Sequence, residues 1–438
     1  MDQIFHRLHT VVREASPRRL KGRVRSLLGV IVHATVPNVR LGELCYLVDP
    51  TGDRRVLAEV VGLTEDVAIL TPIGDLSGLS SLTEVEPTGR ELSIPVGPGL
   101  LGRVISAVAE PLDGGPWPPD CIEGQRPVVA EPPEPLARAL ISEPIQLGIR
   151  AIDGLLACGR GQRIGIFGEP GVGKSNLLAE IARNTNAEVV VVGLVGERGR
   201  EVREFLDRQL GPEGRAKSVV VAATSDRPAM ERVKAAYVAT AIAEYFRDAG
   251  HHVLLLMDSL TRFARAQREI GLAAGEPPTR RGFPPSLFAA LPRLLERSGP
   301  APAGSITGVY TVLVEGDGTL DPVAEEVQAI LDGHIILSSD LAQRNHFPAI
   351  DVLRSRSRLM DVVSSDEHRR QAARIRELMA RYQEVELLVR VGEYERGTDQ
   401  MTDEAIAKID RITRFLRQPA GERSDAADMR AQMKELAE

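Results

Sequence analysis

The chain has 438 residues, with a hydrophobic share of 43% and a charged share of 26%, the texture of a folded soluble protein with room for several domains. A formal net charge of -7 excludes a global basic field for holding nucleic acid, and no apolar run approaches the ~18 residues that a bilayer span requires. Cys45, Cys121 and Cys158 are scattered and odd in number, so they read as reduced thiols, and the N-terminus lacks the apolar core of a signal peptide; the expected compartment is the cytoplasm.

Residues 1–22 form a segment of their own. Ile4, Phe5, Leu8, Val11 and Val12 fall at helical spacing, beside Arg7, Arg13, Arg18, Arg19 and Lys21. Such a helix packs on its own domain or docks on a partner or an anionic lipid surface. Residues 23–95 show short apolar runs, Leu28–Val32, Leu44–Val48, Val56–Val61 and Val67–Leu70, broken by turn residues such as Pro37-Asn38 and Asp49–Asp53. That spacing predicts a small β-barrel or sandwich. Residues 111–136, rich in proline and glycine and holding Trp117, read as an ordered connecting loop.

From Leu147 to Arg358 strands and helices alternate. Arg163–Phe167, Val189–Val195, Ser218–Ala222 and Val253–Met257 are expected strands; Ser175–Asn184, Glu201–Leu210 and Met230–Ala249 are expected helices. The alternation predicts an α/β domain, a mostly parallel sheet with helices on both faces. The domain is taken as 96–363. The tail, 364–438, loses the strands and reads as a helical domain, with helices His368–Val391 and Asp403–Arg417 separated at Gly392 and Gly397.

The chemistry starts at Gly168-Glu169-Pro170-Gly171-Val172-Gly173-Lys174-Ser175, which fits G-x-x-x-x-G-K-[ST] between a strand and a helix. Its glycines let backbone N–H groups curl around phosphate, and the following helix, from Ser175 and Asn176 onward, adds its positive end. Lys174 then reaches the β- and γ-phosphates of ATP, and the Ser175 hydroxyl ligates Mg²⁺. Asp258 ends the apolar run His252–Met257 and is the second candidate for the Mg²⁺ site; on its own a strand-ending aspartate is as often a cap or a solvated charge. Gly196-Glu197-Arg198-Gly199-Arg200-Glu201 follows another strand and offers a carboxylate to orient the attacking water. Chemistry alone does not separate Glu197 from Glu201. Arg354, Arg356 and Arg358 form either a surface patch or an arginine finger for a neighbouring subunit.

Several ordered segments then resemble one family, the ATPases of type III protein secretion, related to the catalytic subunits of rotary ATP synthases. They are Leu101–Val104, Gly148–Leu155, the phosphate loop, Gly196–Glu201, Leu255–Arg262, Tyr310–Asp317, Leu331–Ile335, Phe347–Asp351 and Ser355–Arg358, so the likeness spans about Arg23 to Gln418. The resemblance implies Glu197 as catalytic glutamate, Arg198 near the γ-phosphate, Arg358 as arginine finger and Phe347 as the aromatic that stacks on adenine. It implies an N-terminal β-barrel, a central RecA-like nucleotide domain and a C-terminal helical domain, assembled as a homohexamer. It further implies a central stalk protein, a stator or regulator at the N-terminal segment, an export-gate membrane protein and chaperone–substrate complexes as partners, with peripheral association at the cytoplasmic face of the inner membrane. Gly392–Asp399 lacks the acidic helix-turn of the rotary synthase β subunit, which favours export over ATP synthesis. The loop Glu276–Pro285, with Arg280 and Arg281, falls near the central pore of related rings or is simply a solvated loop. An injectisome is expected over a flagellum. A rotary synthase subunit and an RNA motor are the rival classes; the latter is disfavoured by an aromatic-poor N-terminal region.

Overall fold

The computed structural model describes residues 20–50, 54–117, 122–314 and 321–438. The amphipathic segment 1–22 lies outside these residues apart from its last three, as do Cys121 and Glu315–Asp317. The described residues divide into two compact units: those up to 92 with 228–230 and 269–276, and the remainder.

The first unit is a closed six-stranded barrel. Strands β1 (Gly22–Leu28), β2 (Ile31–Thr35), β3 (Leu44–Val48), β4 (Arg55–Leu63), β5 (Ala68–Ile73) and β6 (Glu84–Pro87) are ordered β1-β2-β5-β4-β3-β6, and β6 closes on β1. Alternation sets the inside: Val56, Ala58 and Val60 of β4 point inward with Cys45 and Leu47 of β3. The run Leu28–Val32 is not one strand. It holds the β1–β2 hairpin turn, at which Gly29 takes φ 58. Apolar content alone hides such a turn, because one glycine carries it.

The second unit is built on a nine-stranded sheet. Its strands are β7 (Val104–Ile105), β8 (Arg163–Gly168), β9 (Val189–Glu197), β10 (Ser218–Thr224), β11 (His252–Asp258), β12 (Ser305–Leu313), β13 (Gly333–Leu337) and β14 (Ile350–Ser357), in the order β14-β13-β8-β12-β11-β9-β10-β7, with Gly299–Pro300 paired beside β12. Neighbours along this order run parallel except β14, which is antiparallel to β13. Every residue of β9 is buried, as expected of a strand covered on both faces. Sequence pattern finds β8, β9, β10 and β11. It passes over β12 and β14 because glycine, threonine, serine and arginine dilute their apolar runs, and over β7 and β13 because they are short.

The expected helix Glu201–Leu210 begins earlier, at Gly199, and turns into a wider π-type helix over Phe205–Leu210. Residues 111–136 are a connection, as read, but Gly124–Pro127 pairs with Ser93–Val96, and Arg103 stacks 5.2 Å over Trp117. Three C-terminal helices follow, Asp366–Val391, Gln400–Leu416 and Ala426–Ala437; the last is absent from the sequence reading. Gly392 caps the first in the left-handed conformation. Ile375, Leu378, Ile412, Phe415, Met429 and Met433 join the same core as Ile152 and Leu155, so these helices are packed onto the sheet unit. No described helix is long and apolar enough to cross a membrane.

Candidate active site

The carboxyl ends of β8, β12, β11 and β9 fall side by side, the edge at which parallel sheets bind ligands. From β8 the chain enters the loop Glu169–Gly173 and then the helix Lys174–Asn184. Gly171 and Gly173 take φ 87 and 94, a region that other side chains avoid. Gly168 is needed for a different reason: a Cβ there would lie 2.9 Å from Leu337 Cβ and 3.0 Å from Val172 Cγ2. Val172 is buried and anchors the loop. Gly173 opens the helix with no side-chain cap, so the first-turn N–H groups of Lys174, Ser175 and Asn176 are left for a ligand.

Lys174 Nζ donates to the Gly168 carbonyl at 2.8 Å and to the Glu169 carbonyl. Burial pulls this ammonium down to about 8, against the pull of Asp258, Glu197 and Glu169. Ser175 Oγ donates to Asp258 Oδ2 at 3.3 Å, and Thr311 Oγ1 donates to Asp258 Oδ1 at 2.7 Å. Burial also raises the Asp258 carboxyl. The paired hydroxyl and carboxylate are the two hard oxygens that a Mg²⁺–triphosphate takes from protein, the remaining ligands being phosphates and water. The uncapped helix start, the lysine and this oxygen pair therefore fit ATP with Mg²⁺. Among the described residues no cluster of three or more His, Cys, Asp or Glu offers an all-protein metal cage.

Glu197 ends β9, buried, across the pocket. Arg262 holds it: Nη2 donates to Oε2 at 3.2 Å, Nε lies 2.9 Å from Oε1, and Nη1 donates to the Gly196 carbonyl. Burial pushes the Glu197 carboxyl up to about 8, and Asp258 and Glu201 add to the rise. Glu201 titrates the other way, held down by its hydrogen bond with Glu197 and by Arg198. The two glutamates left level by chemistry are thus unlike: Glu197 is buried and clamped, Glu201 sits at the rim. Arg198 pairs with Glu201 at 3.0 Å and is 73% exposed, so it turns to solvent and makes no bond to Glu197.

One pocket of about 770 Å³ gathers Pro170, Gly171, Gly173, Lys174, Ser175, Asn176, Glu197, Arg198 and Asp258. Asn176 Oδ1 accepts from Gln209 Nε2 at 2.6 Å at its edge. Glu169 turns away and accepts from Ser339 Oγ. Phe347 is 42% exposed, no core residue, with its ring within 3.7 Å of where a Gly173 Cβ would be, beside the loop. Arg358 is not in the pocket. It follows β14, whose Ser357 pairs with Gly333 at the amino end of β13, so it stands exposed at the opposite edge of the sheet. Arg262 and Thr311 were not legible as site residues. Arg262 lies one helical turn beyond Asp258, and only the adjacency of β9 and β11 aims it at Glu197.

Fold and pocket together define a P-loop ATP hydrolase with a barrel, a RecA-like nucleotide domain and C-terminal helices. Comparison with known proteins agrees region by region. The ATP synthase alpha/beta family β-barrel domain matches residues 24–89, its nucleotide-binding domain 148–357, and the T3SS EscN ATPase C-terminal domain 364–435. A type 3 secretion system ATPase of Sinorhizobium fredii is 55% identical over 424 residues, covering 95% of this chain and 92% of its own. The flagellum-specific ATP synthase of Bacillus subtilis is 49% identical, covering 92% and 91%. The structure of the assembled ATPase EscN from the enteropathogenic E. coli type III secretion system superposes with a TM-score of 0.90 at 48% identity, covering 95% of this chain and 100% of that one. EscN in complex with its central stalk EscO gives 0.88 at 47% identity over the same shares. The chain belongs to the type 3 secretion system ATPase family, whose activity is ATP hydrolysis coupled to protein export.

Proposed function

We propose that this chain is the subunit of a homohexameric motor that hydrolyses ATP to energise type III secretion, releasing chaperones from export substrates and unfolding them at the cytoplasmic face of the export gate. The observation that carries this reading is a separation. Lys174, Ser175, Glu197 and Asp258 converge at one edge of the sheet, while Arg358 stands at the other. β14 spans seven residue steps, roughly 20 Å, so no side chain at Arg358 reaches its own chain's pocket. An arginine finger at that position serves a neighbour.

In the complete site the loop N–H groups and Lys174 bind the phosphates, Phe347 stacks on the base, and Ser175 and Asp258 hold Mg²⁺. The bound cation neutralises phosphate charge. Glu197, positioned by Arg262, orients and deprotonates the attacking water; its raised affinity for a proton suits a base working near neutrality. Arg358 of the next subunit stabilises the charge of the transition state. Arg198, at the rim, meets the γ-phosphate side only after leaving Glu201.

We read the working parts as the segment 1–22, the barrel 23–95, the ATPase domain 96–363 and the helical domain 364–438. The N-terminal segment takes a stator or regulator, and the ring takes a central stalk, as EscN does in the EscO complex. An export-gate protein and chaperone–substrate complexes complete the partners, nucleic acid is not one, and the motor sits peripherally on the inner membrane. An injectisome is favoured because the type 3 secretion system ATPase of Sinorhizobium fredii is 55% identical and the flagellum-specific ATP synthase of Bacillus subtilis 49%. A flagellar export ATPase is the second reading, supported by that same flagellar likeness; whether a needle or a flagellar subunit is exported decides between them. ATPase rate per subunit against protein concentration tests the ring, with Glu197→Ala as blank. A steep rise, absent in the blank, is expected; a flat rate surviving the substitution overturns the reading.

A further inference from the structure

Segment 131–143 runs along the amino-terminal edge of the sheet unit, with Glu131, Glu134–Ala137, Ala139, Leu140, Ser142 and Glu143 exposed. Pro132, Pro133 and Pro135 stiffen its first half, ahead of a short 3-10 turn over Pro135–Ala137. Arg138 pins it from below, donating to the Ser298 carbonyl at 3.0 Å and the Glu296 carbonyl at 2.5 Å. With the arginine turned in, Leu136 and Leu140 on either side turn out, 101% and 93% exposed. Scattered exposed leucines are ordinary, but two on a stiff, pinned segment form a preorganised apolar contact with little ordering left to lose on docking.

The position of this strap says what covers it. A ladder of ion pairs from Arg138 to Asp332, and then one backbone hydrogen bond, joins it to the backbone of Arg358. Arg138 meets Glu296, Glu296 Oε1 lies 2.5 Å from Arg163 Nη1, Arg163 Nε and Nη2 each donate to Asp332 at 3.1 Å, and the Arg358 N–H donates to the Asp332 carbonyl at 3.0 Å. The leucines and Arg358 are thus held on one rigid edge. If Arg358 enters a neighbour's pocket, that edge faces the neighbour.

We propose that the strap 131–143 is a docking surface for a second copy of this chain, its two leucines buried in the contact through which Arg358 reaches the neighbouring nucleotide site. This rests on the shared-site reading above. The strap would therefore set how tightly subunits associate, and the ladder would carry its docked position to the arginine.

The test is the full-length L136D/L140D chain, compared with the native chain and with L136M/L140M. Oligomer size, ATPase rate against protein concentration and binding of a fluorescent ATP analogue are measured on each. The aspartate variant is expected to need about tenfold more protein for half-maximal rate, the effect of losing ~1.4 kcal/mol of association. Its maximal rate and its analogue affinity stay native, because Glu197, Lys174 and Arg358 are untouched, and the methionine variant behaves as native. A half-activating concentration unchanged in L136D/L140D overturns the strap. If L136D/L140D loses analogue binding and so is misfolded, L136S/L140S takes its place under the same criterion. The underlying reading fails separately: the native chain itself would then show no dependence of rate on concentration.

Discussion

Two inactive variants can restore each other only if the site is shared. Glu197→Ala leaves a pocket without the carboxylate proposed to orient water but keeps Arg358; Arg358→Ala does the reverse. Removing a finger of this kind costs ~10³–10⁵ in rate, and the glutamate is expected to cost no less. That is roughly 4–7 kcal/mol of transition-state stabilisation for either one. Each pure preparation is therefore expected to be silent, with ATP binding nearly intact in the arginine variant because Arg358 lies outside the pocket. In rings assembled from equal parts of both, an interface is whole when an arginine variant supplies the pocket and a glutamate variant supplies the finger. Random assembly makes about one interface in four whole, and independent firing then recovers about a quarter of the native rate. The assay is phosphate release by the two pure variants and by their mixture, with differently tagged chains to show co-assembly. Normal turnover by Arg358→Ala refutes the reasoning outright. So does a co-assembled mixture no faster than its components, since the geometry leaves Arg358 no other route to an active site.

Three further outcomes follow from single contacts. Thr311→Val removes the hydroxyl that donates to Asp258 at 2.7 Å, and steady-state kinetics should show kcat about tenfold lower with KM moved less. Asp153 accepts the N–H of Leu147 at 2.9 Å on one oxygen and of Gly148 at 2.7 Å on the other, so the Asp153→Asn amide sets a donor against a donor; urea unfolding should show a loss of about 1–3 kcal/mol. Burial holds His368 below its ordinary 6.5, with Nε2 bonded 2.7 Å from the Gly154 carbonyl. The unfolded chain then takes up the proton first, so the contribution of His368 is present above pH 6.5 and lost as pH falls below it, at up to ~1.4 kcal/mol per pH unit. His368→Gln should flatten that part of the slope in unfolding midpoints measured from pH 7.5 to 5.5.

The phosphate loop was legible because its residues are fixed by backbone geometry: glycines at positive φ and a lysine at the helix start leave a mark that any strand–loop–helix context makes readable. Asp258 was legible as a strand end, yet its partner Thr311 was not, since nothing in the chain announces that β11 and β12 are neighbours. Glu197 and Glu201 differ by four residues and by burial, and burial is a property of packing, so only the structure separates them by physical means. Arg262 is the clearest omission. Its residue type and position suit a surface helix, and its role exists only because β9 ends beside β11. Phe347 carries no sign of a role in its residue type, and only resemblance marks it as a candidate for the adenine; the structure shows it 42% exposed beside Gly173. The Leu28–Val32 turn shows the same limit in the barrel, a hairpin resting on Gly29 alone.

The sheet itself carries the argument for a ring. A pocket at its carboxyl edge and an arginine beyond the amino end of β13 are two different surfaces of one chain. A contact that joins them is heterologous, each subunit giving one surface and receiving the other. Such a contact cannot be satisfied in a two-fold dimer, which pairs a surface with itself. It leaves every open chain with one pocket lacking its arginine and one arginine lacking its pocket. Closure removes both loose ends, so the proposed shared site predicts a rate per subunit that grows with assembly until the ring is shut. The exposed leucines beside Arg358 are read by the same logic. They are a cost to the single chain in water, and in the proposed contact closing the ring is the step that removes it.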